Sequence, residues 1–301
     1  MQNCAGCAIQ GPAADPMQSD DFLWRHLKRV PAFRALLRAT ESRFYHDLEL
    51  PRPLLDLGCG DGHFAAATFA AGDRPEVGLD PWWGPLREAH RQQVYALSVL
   101  ASGQRLPFAD GQFGTVISNS VLEHIPQVDE VLREAARVLR LRGTLLFTVP
   151  SEYFVRFLSI SVALRRVGLD RLAGRYETWF NTISRHHHCD PPPVWHARLA
   201  AVGLRTVRWQ YYFSTRAHLK LEWGHYLGLP SLLSKKILGR WVIAPWRWSL
   251  WPTERLLRPS YGEPPPVRGA YLLFVALKMA PGEDAGRLPP PAPRDCSALD
   301  R

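Results

Sequence analysis

The run Asp56-Leu57-Gly58-Cys59-Gly60-Asp61-Gly62-His63-Phe64 sets three alternate glycines between the leucine-rich Leu54-Leu55-Asp56-Leu57 and a stretch of small residues. Glycine lets a backbone approach a ligand closely, or take a positive φ that a Cβ would forbid. A helix starting near Gly62 would point its free N–H groups into this loop, which suits a carboxylate or a phosphate. Asp80 closes a second apolar run, Val77-Gly78-Leu79, where an acidic side chain can accept hydrogen bonds from ribose hydroxyls. Together they point to a cofactor that carries a ribose. The spacing does not meet the dinucleotide fingerprint G-x-G-x-x-G/A, because His63 holds its final position. A NAD-dependent oxidoreductase is therefore the less favoured enzyme reading.

Glu123 and His124 follow a further apolar run, Thr115-Val116-Ile117-Ser118. A histidine with an ordinary pKa can take a proton near neutral pH, so His124 is the candidate catalytic base. The alternative is that it only bonds the backbone or caps the loop. His186, His187 and His188 stand beside Cys189 and Asp190. Adjacent residues cannot all face one point on a regular element, so no metal site is expected, although one or two could reach a substrate. Cys4 and Cys7 form a CxxC with no partner pair at zinc-finger spacing. Five scattered cysteines fit a reducing cytoplasm better than a disulfide framework.

These residues need a scaffold, and the hydrophobic pattern supplies one. Residues 21–48 read as helical, broken at Pro31. Strands are expected at 54–57, 77–79, within 94–101, at 115–118 and at 145–149, with helices over 63–71, 84–92 and 128–139. Strand alternating with helix at this spacing gives a doubly wound parallel sheet. A helix at 194–202 and strands at 204–213 and 270–278 complete seven strands. The stretches 151–193 and 215–267 read as insertions after strands five and six. Residues 1–20 are expected to form a flexible tail and 281–301, rich in proline, glycine and charge, a disordered one.

Residues 54–150 resemble the class I S-adenosylmethionine (SAM)-dependent methyltransferases of the type 11 group. Four blocks carry the likeness in order: LLDLGCGDGHF (54–64), VGLD (77–80), LPFADGQFGTVISNSVLEHI (106–125) and VLREAARVLRLRGTLLFTVP (131–150). The resemblance implies a Rossmann-like sheet, mostly parallel with an antiparallel last strand, and S-adenosyl-L-methionine as cofactor. It implies that Asp56, Gly58, Gly60 and Gly62 cradle the amino-acid end of SAM and that Asp80 binds the ribose. Pro81 or Trp82 would lie beside the adenine and Asn119 near the methionine portion. Family members carry an acidic residue just before the segment matching Gly103 to Phe108; Ser102 stands there instead. The function implied is methyl transfer to a small-molecule or lipid-like acceptor. A non-catalytic SAM-binding protein tethered to a membrane or partner is the alternative.

The insertions should choose the acceptor, since selectivity in such folds lies in added loops. Eight of the eleven tryptophans fall between Trp179 and Trp251, and Lys235, Lys236, Arg240 and Arg247 interleave with the apolar residues of 229–251. That segment reads either as a lid or as a peripheral membrane contact. A formal net charge of +9 favours an anionic partner, but no compact nucleic-acid module is present. No run reaches the roughly 20 apolar residues of a span. The N-terminal residues lack a basic start before an apolar core, so no secretory signal is expected. A cytoplasmic protein is expected, with attachment at the membrane face as the variant.

Overall fold

Short runs of Leu, Val and Ile bury best as central parallel strands, covered on both faces. In the computed structural model, which describes residues 21–46, 48–284 and 286–292, β1 (Leu54–Leu57), β2 (Val77–Asp80) and β4 (Phe113–Asn119) are buried along their whole length. β3 (Leu97–Leu100) forms the exposed edge. β5 (Leu139–Pro150), β6 (Leu204–Tyr212) and β7 (Tyr271–Lys278) complete a seven-stranded sheet of order β3-β2-β1-β4-β5-β7-β6. All pairings are parallel except those of β7, which runs antiparallel to both neighbours. The fold is the Rossmann-like, doubly wound one expected. β5 starts six residues earlier than the apolar run 145–149 suggests, because Leu139 already pairs with Phe113 across an irregularity in the ladder.

Helices cover both faces. α1 (Phe22–Leu27) and α2 (Ala32–His46) are separated at Pro31 and pack on the face of β4, β5 and β7 that presents Ile117, Leu146 and Leu273. α3 (His63–Thr68) and α4 (Trp83–Arg91) follow β1 and β2. α5 (Val128–Val138) covers the opposite face with Val131, Leu132 and Ala135 and shares that core with Trp195 and Leu199 of α8 (Pro192–Ala201).

The strand order reverses at β1, between β2 and β4, so a crevice opens beyond the carboxyl ends of β1 and β4. β5 and β6 end on this same edge, since both run opposite to β7. The first insertion supplies α6 (Ser159–Arg166) and α7 (Asp170–Ser184) after β5. The second supplies α9 (Thr215–Leu227), α10 (Leu229–Leu238) and α11 (Arg247–Tyr261) after β6.

The expected tails fare differently. Residues 1–20 lie outside the described residues. The disorder expected from 281 does not hold up to 292. Trp209 of β6 donates its indole N–H to the Pro289 carbonyl at 2.6 Å, Ala292 N donates to Trp209 O at 2.8 Å, and Leu288 packs on the core. Proline-rich chain can be fixed in this way because it loses little conformational freedom on ordering. No helix among the described residues is long and apolar enough to cross a membrane.

Candidate active site

The glycine loop is shaped from below. Gly58 and Cys59 donate backbone N–H groups to Leu79 O at 2.8 and 3.0 Å, which folds the loop over the end of β2. Gly58, Gly60 and Gly62 all have positive φ, between 56° and 79°. Their surroundings separate their roles. A Cβ on Gly58 would stand 2.4 Å from Val121, and one on Gly62 2.9 Å from Val94, so those two fill packing constraints. A Cβ on Gly60 would meet nothing within 4 Å. Open space faces Gly60, where a ligand can sit.

Asp80 is held at that space. Its Oδ2 accepts Gly60 N at 2.9 Å and its Oδ1 accepts Trp82 N at 2.8 Å. Each carboxylate oxygen keeps a further lone pair for a hydroxyl. Burial raises the Asp80 pKa against these two bonds. Pro81 and Trp82 are exposed beside it, Trp82 at 72%, free to close on a planar group. Ser102 is exposed and accepts Gln104 N at 3.3 Å, while Gly103 packs between Leu57 and Val131.

Two of the expected site residues have partners inside the protein. Asp56 is 3% exposed, and its Oδ2 accepts the Tyr95 hydroxyl at 2.6 Å. Burial pushes its pKa up to about 7, so it supports the loop from beneath. Asn119, at the end of β4, has its amide engaged within the protein. Its Nδ2 donates to Glu41 Oε2 at 2.7 Å and its Oδ1 accepts from Thr148 at 3.1 Å. Glu41 is the reason. Fully buried on α2, it also accepts Arg38 Nη1 at 2.7 Å, Ser120 Oγ at 3.0 Å and Tyr212 Oη at 2.8 Å. One carboxylate thus ties α2 to the ends of β4 and β6. The sequence does carry a signal for it: Leu37, Glu41 and Tyr45 recur every four residues, which puts the acid on the apolar face of α2.

Past β4, Leu122–His124 forms a 3₁₀ turn. Ser120, Glu123 and His124 line one side of a cavity of about 330 Å³. Arg34 and Arg38 of α2 line another, with Phe154, Ile183 and His186 from the first insertion and Leu232 and Trp241 from the second. Trp241 also lines a cavity of about 340 Å³ reaching Asp61 and His63 of the glycine loop, so one indole borders both spaces.

His124 Nδ1 lies 3.0 Å from the Arg185 carbonyl. A carbonyl only accepts, so Nδ1 carries the proton and Nε2 keeps its lone pair. Burial lowers the His124 pKa, so the ring is neutral near pH 7. Beside it, at 3.8 Å from Nε2, stands the fully buried Glu123, whose pKa burial pushes up to about 8. Glu123 Oε2 has no hydrogen-bond partner. The His188 ring nitrogen Nε2 lies 3.1 Å from the Ile125 carbonyl, and His187 and His188 both donate backbone N–H groups to Glu123 O, at 2.7 and 3.3 Å, which clamps their loop against the turn. His186 brings its ring to Glu123 and His124, with burial pushing its pKa down to about 3. Glu123, His124 and His186 bring three ligand atoms within 4.8 Å of one another, a group able to hold a cation that the spacing of the histidine run did not reveal.

Residues 55–147 match the model of a methyltransferase domain family, type 11. A malonyl-[acyl-carrier protein] O-methyltransferase of Legionella pneumophila is 35% identical over 115 residues, 36% of this chain and 40% of its own length. An uncharacterized methyltransferase of a Mycobacterium species is 39% identical over 92 residues, 31% of this chain and 36% of its own. These matches thus span about two fifths of the relatives or less. Among solved structures, the geranyl diphosphate C-methyltransferase of Streptomyces coelicolor, crystallised with Mg2+, geranyl-S-thiolodiphosphate and S-adenosyl-L-homocysteine, aligns at a TM-score of 0.51 and 14% identity, covering 81% of this chain and 77% of that one. The [4+2]-cyclase SpnF aligns at 0.51 and 17% identity, over 80% of this chain and 81% of its own. At these identities the two structures share the fold.

Proposed function

We propose that this chain, which carries a class I methyltransferase domain of the type 11 group over residues 55–147, transfers a methyl group from SAM to a small-molecule or lipid-like acceptor. The observation that carries the reading is the open space facing Gly60, whose N–H the Asp80 carboxylate accepts, together with a cavity lined by a base-competent His124 that shares Trp241 with the space at Asp61 and His63. Gly60 leaves room for the cofactor backbone, Asp80 would accept the ribose hydroxyls, and Trp82 would cover the adenine. SAM, when bound, supplies an electrophilic methyl on a sulfonium.

The chain's own residues would do the rest. Displacement requires the nucleophile about 3 Å from the methyl and in line with it, with water excluded. Leu232 and Trp241 wall the cavity against water, and Phe154 and Ile183 give it an apolar surface that suits an acceptor with hydrocarbon character. His124 Nε2 would take the proton released by the acceptor. Glu123, neutral near pH 7, could donate a hydrogen bond to the acceptor without placing a negative charge beside the base.

Calorimetric titration of SAM into the wild-type chain and a Gly60→Val variant tests the assignment. A side chain at Gly60 occupies the cofactor's space and strains a backbone with φ of 56°. Binding should vanish in a variant that still melts cooperatively. Unchanged affinity there would overturn the site. Transfer of labelled methyl from SAM into a lipid or metabolite extract separates an enzyme from a SAM-binding protein without catalysis.

A further inference from the structure

The second insertion presents an outer surface that its packing does not use. On α10, Leu233 and Ile237 are exposed, Ile237 at 68%, and Ile243 follows in the connection to α11 at 65%. On α11, Trp248 and Trp251 face out one turn apart, Trp248 at 76%, with Trp246 stacked on Trp248 at 5.8 Å. Leu257 and Ser260 take the inner face of the same helix. A soluble surface helix would show charge where these rings stand. An apolar patch of this kind marks an interaction surface.

Charge decides the occupant. Residues 229–251 contain Lys235, Lys236, Arg240 and Arg247 and no acidic residue. A two-fold pairing of this patch with a second copy would set these like charges against one another. An anionic lipid headgroup layer complements them, while indole rings settle at the boundary between apolar and wet zones.

We infer that α10, α11 and the segment joining them dock on the surface of an anionic lipid bilayer. Leu232 and Trp241 belong to this unit and also wall the cavity beside His124, so docking sets the mouth of that cavity against the membrane. On the methyltransferase reading, from which this second step follows, the acceptor is an amphiphile drawn from the bilayer.

Flotation of the full chain with phosphatidylcholine vesicles, with and without phosphatidylglycerol, tests the docking. The wild type should float with the anionic vesicles at low salt and release at high salt. A Lys236→Glu/Arg240→Glu variant should bind anionic vesicles at least about tenfold more weakly, and a Trp246→Ser/Trp248→Ser/Trp251→Ser variant should bind both compositions at least about tenfold more weakly. Melting curves check folding, and the charge variant, confined to exposed side chains, decides the matter if the tryptophan variant fails to fold. A wild type that stays unbound at low salt overturns the inference, as does equal flotation of the charge variant. So does sedimentation showing a dimer that the tryptophan changes dissolve in a chain that never floats. SAM titration on the same samples is a separate reading: a chain that floats without binding SAM sinks the proposed activity and leaves the membrane surface standing.

Discussion

Glu123 and His124 are adjacent in sequence, and the same burial moves them in opposite directions: the carboxyl up to about 8, the imidazole down. Desolvation disfavours whichever form is charged, so both groups are neutral near pH 7. The raised carboxyl pKa stabilises the fold fully at low pH, where Glu123 is protonated folded or unfolded. That stability is lost as pH rises towards and through about 8. Asp56 adds the same dependence up to about 7. The melting temperature should therefore fall between pH 6 and pH 9, and fall less in Glu123→Gln, which has no proton to lose; equal falls would place the effect elsewhere. For His124 the sign differs in consequence. Acceptor turnover should persist below the ordinary histidine range, because the ring stays unprotonated there. His124→Gln should reduce turnover by about 10²–10⁴ and leave SAM affinity unchanged. A loss confined to SAM affinity would show that the ring only holds the loop at Arg185. Asp80→Ala removes charge-assisted bonds worth roughly 1.5–3 kcal/mol each and should weaken SAM binding by at least about tenfold; calorimetry showing a smaller than about threefold change counts against the ribose contact.

The strands were legible because a parallel sheet buries both faces and leaves short, mostly apolar runs such as Leu54-Leu55-Asp56-Leu57 and Val77-Gly78-Leu79. The glycine loop was legible because its constraint is backbone geometry, which few residue types satisfy. What the sequence hid was contact between distant elements. Tyr95 precedes β3 in no recognisable pattern, yet its ring covers Gly78 of β2, where a Cβ would lie 2.5 Å from it, and its hydroxyl holds Asp56 at the end of β1. Glu41 is the larger case, since nothing in the β4 motif announces that Asn119 will be consumed by an acid seventy-eight residues earlier. Each element depends on the contact. A Gly78→Ala change must displace the Tyr95 ring and should cost about 1–3 kcal/mol of stability. Glu41→Leu strands the buried Asn119 amide and the Tyr212 hydroxyl and should cost about 3–5 kcal/mol. Urea denaturation measures both, and a near-neutral Glu41→Leu would show that the network contributes little to holding α2 on the sheet.

Both insertions leave the sheet at the edge where β1 and β4 end, and both contribute walls to the cavity beside His124. This could be anticipated from strand direction alone, whereas the wall each side chain forms could not. Trp241 was visible as one of many tryptophans; only the fold shows it bordering the two cavities, with Arg34 5.8 Å from its ring. The glycine loop belongs to the sheet, and the cavity beside His124 is shared between the sheet and the insertions; on the proposed function the binding of SAM and of acceptor should therefore separate under deletion. Replacing 229–251 with a short flexible linker removes Leu232 and Trp241 and opens the cavity to water, while β1, β2 and Asp80 keep their own packing. Such a variant, if it melts cooperatively, should retain SAM affinity within about threefold and lose acceptor turnover by at least about a hundredfold, the loss expected when a reacting group is left mispositioned. Single-turnover transfer of labelled methyl, measured beside the SAM titration, checks both halves. A folded deletion variant that methylates its acceptor at the wild-type rate would show that neither Leu232 nor Trp241 shapes the site, and the cavity beside His124 would then have to accept its substrate from the sheet side alone.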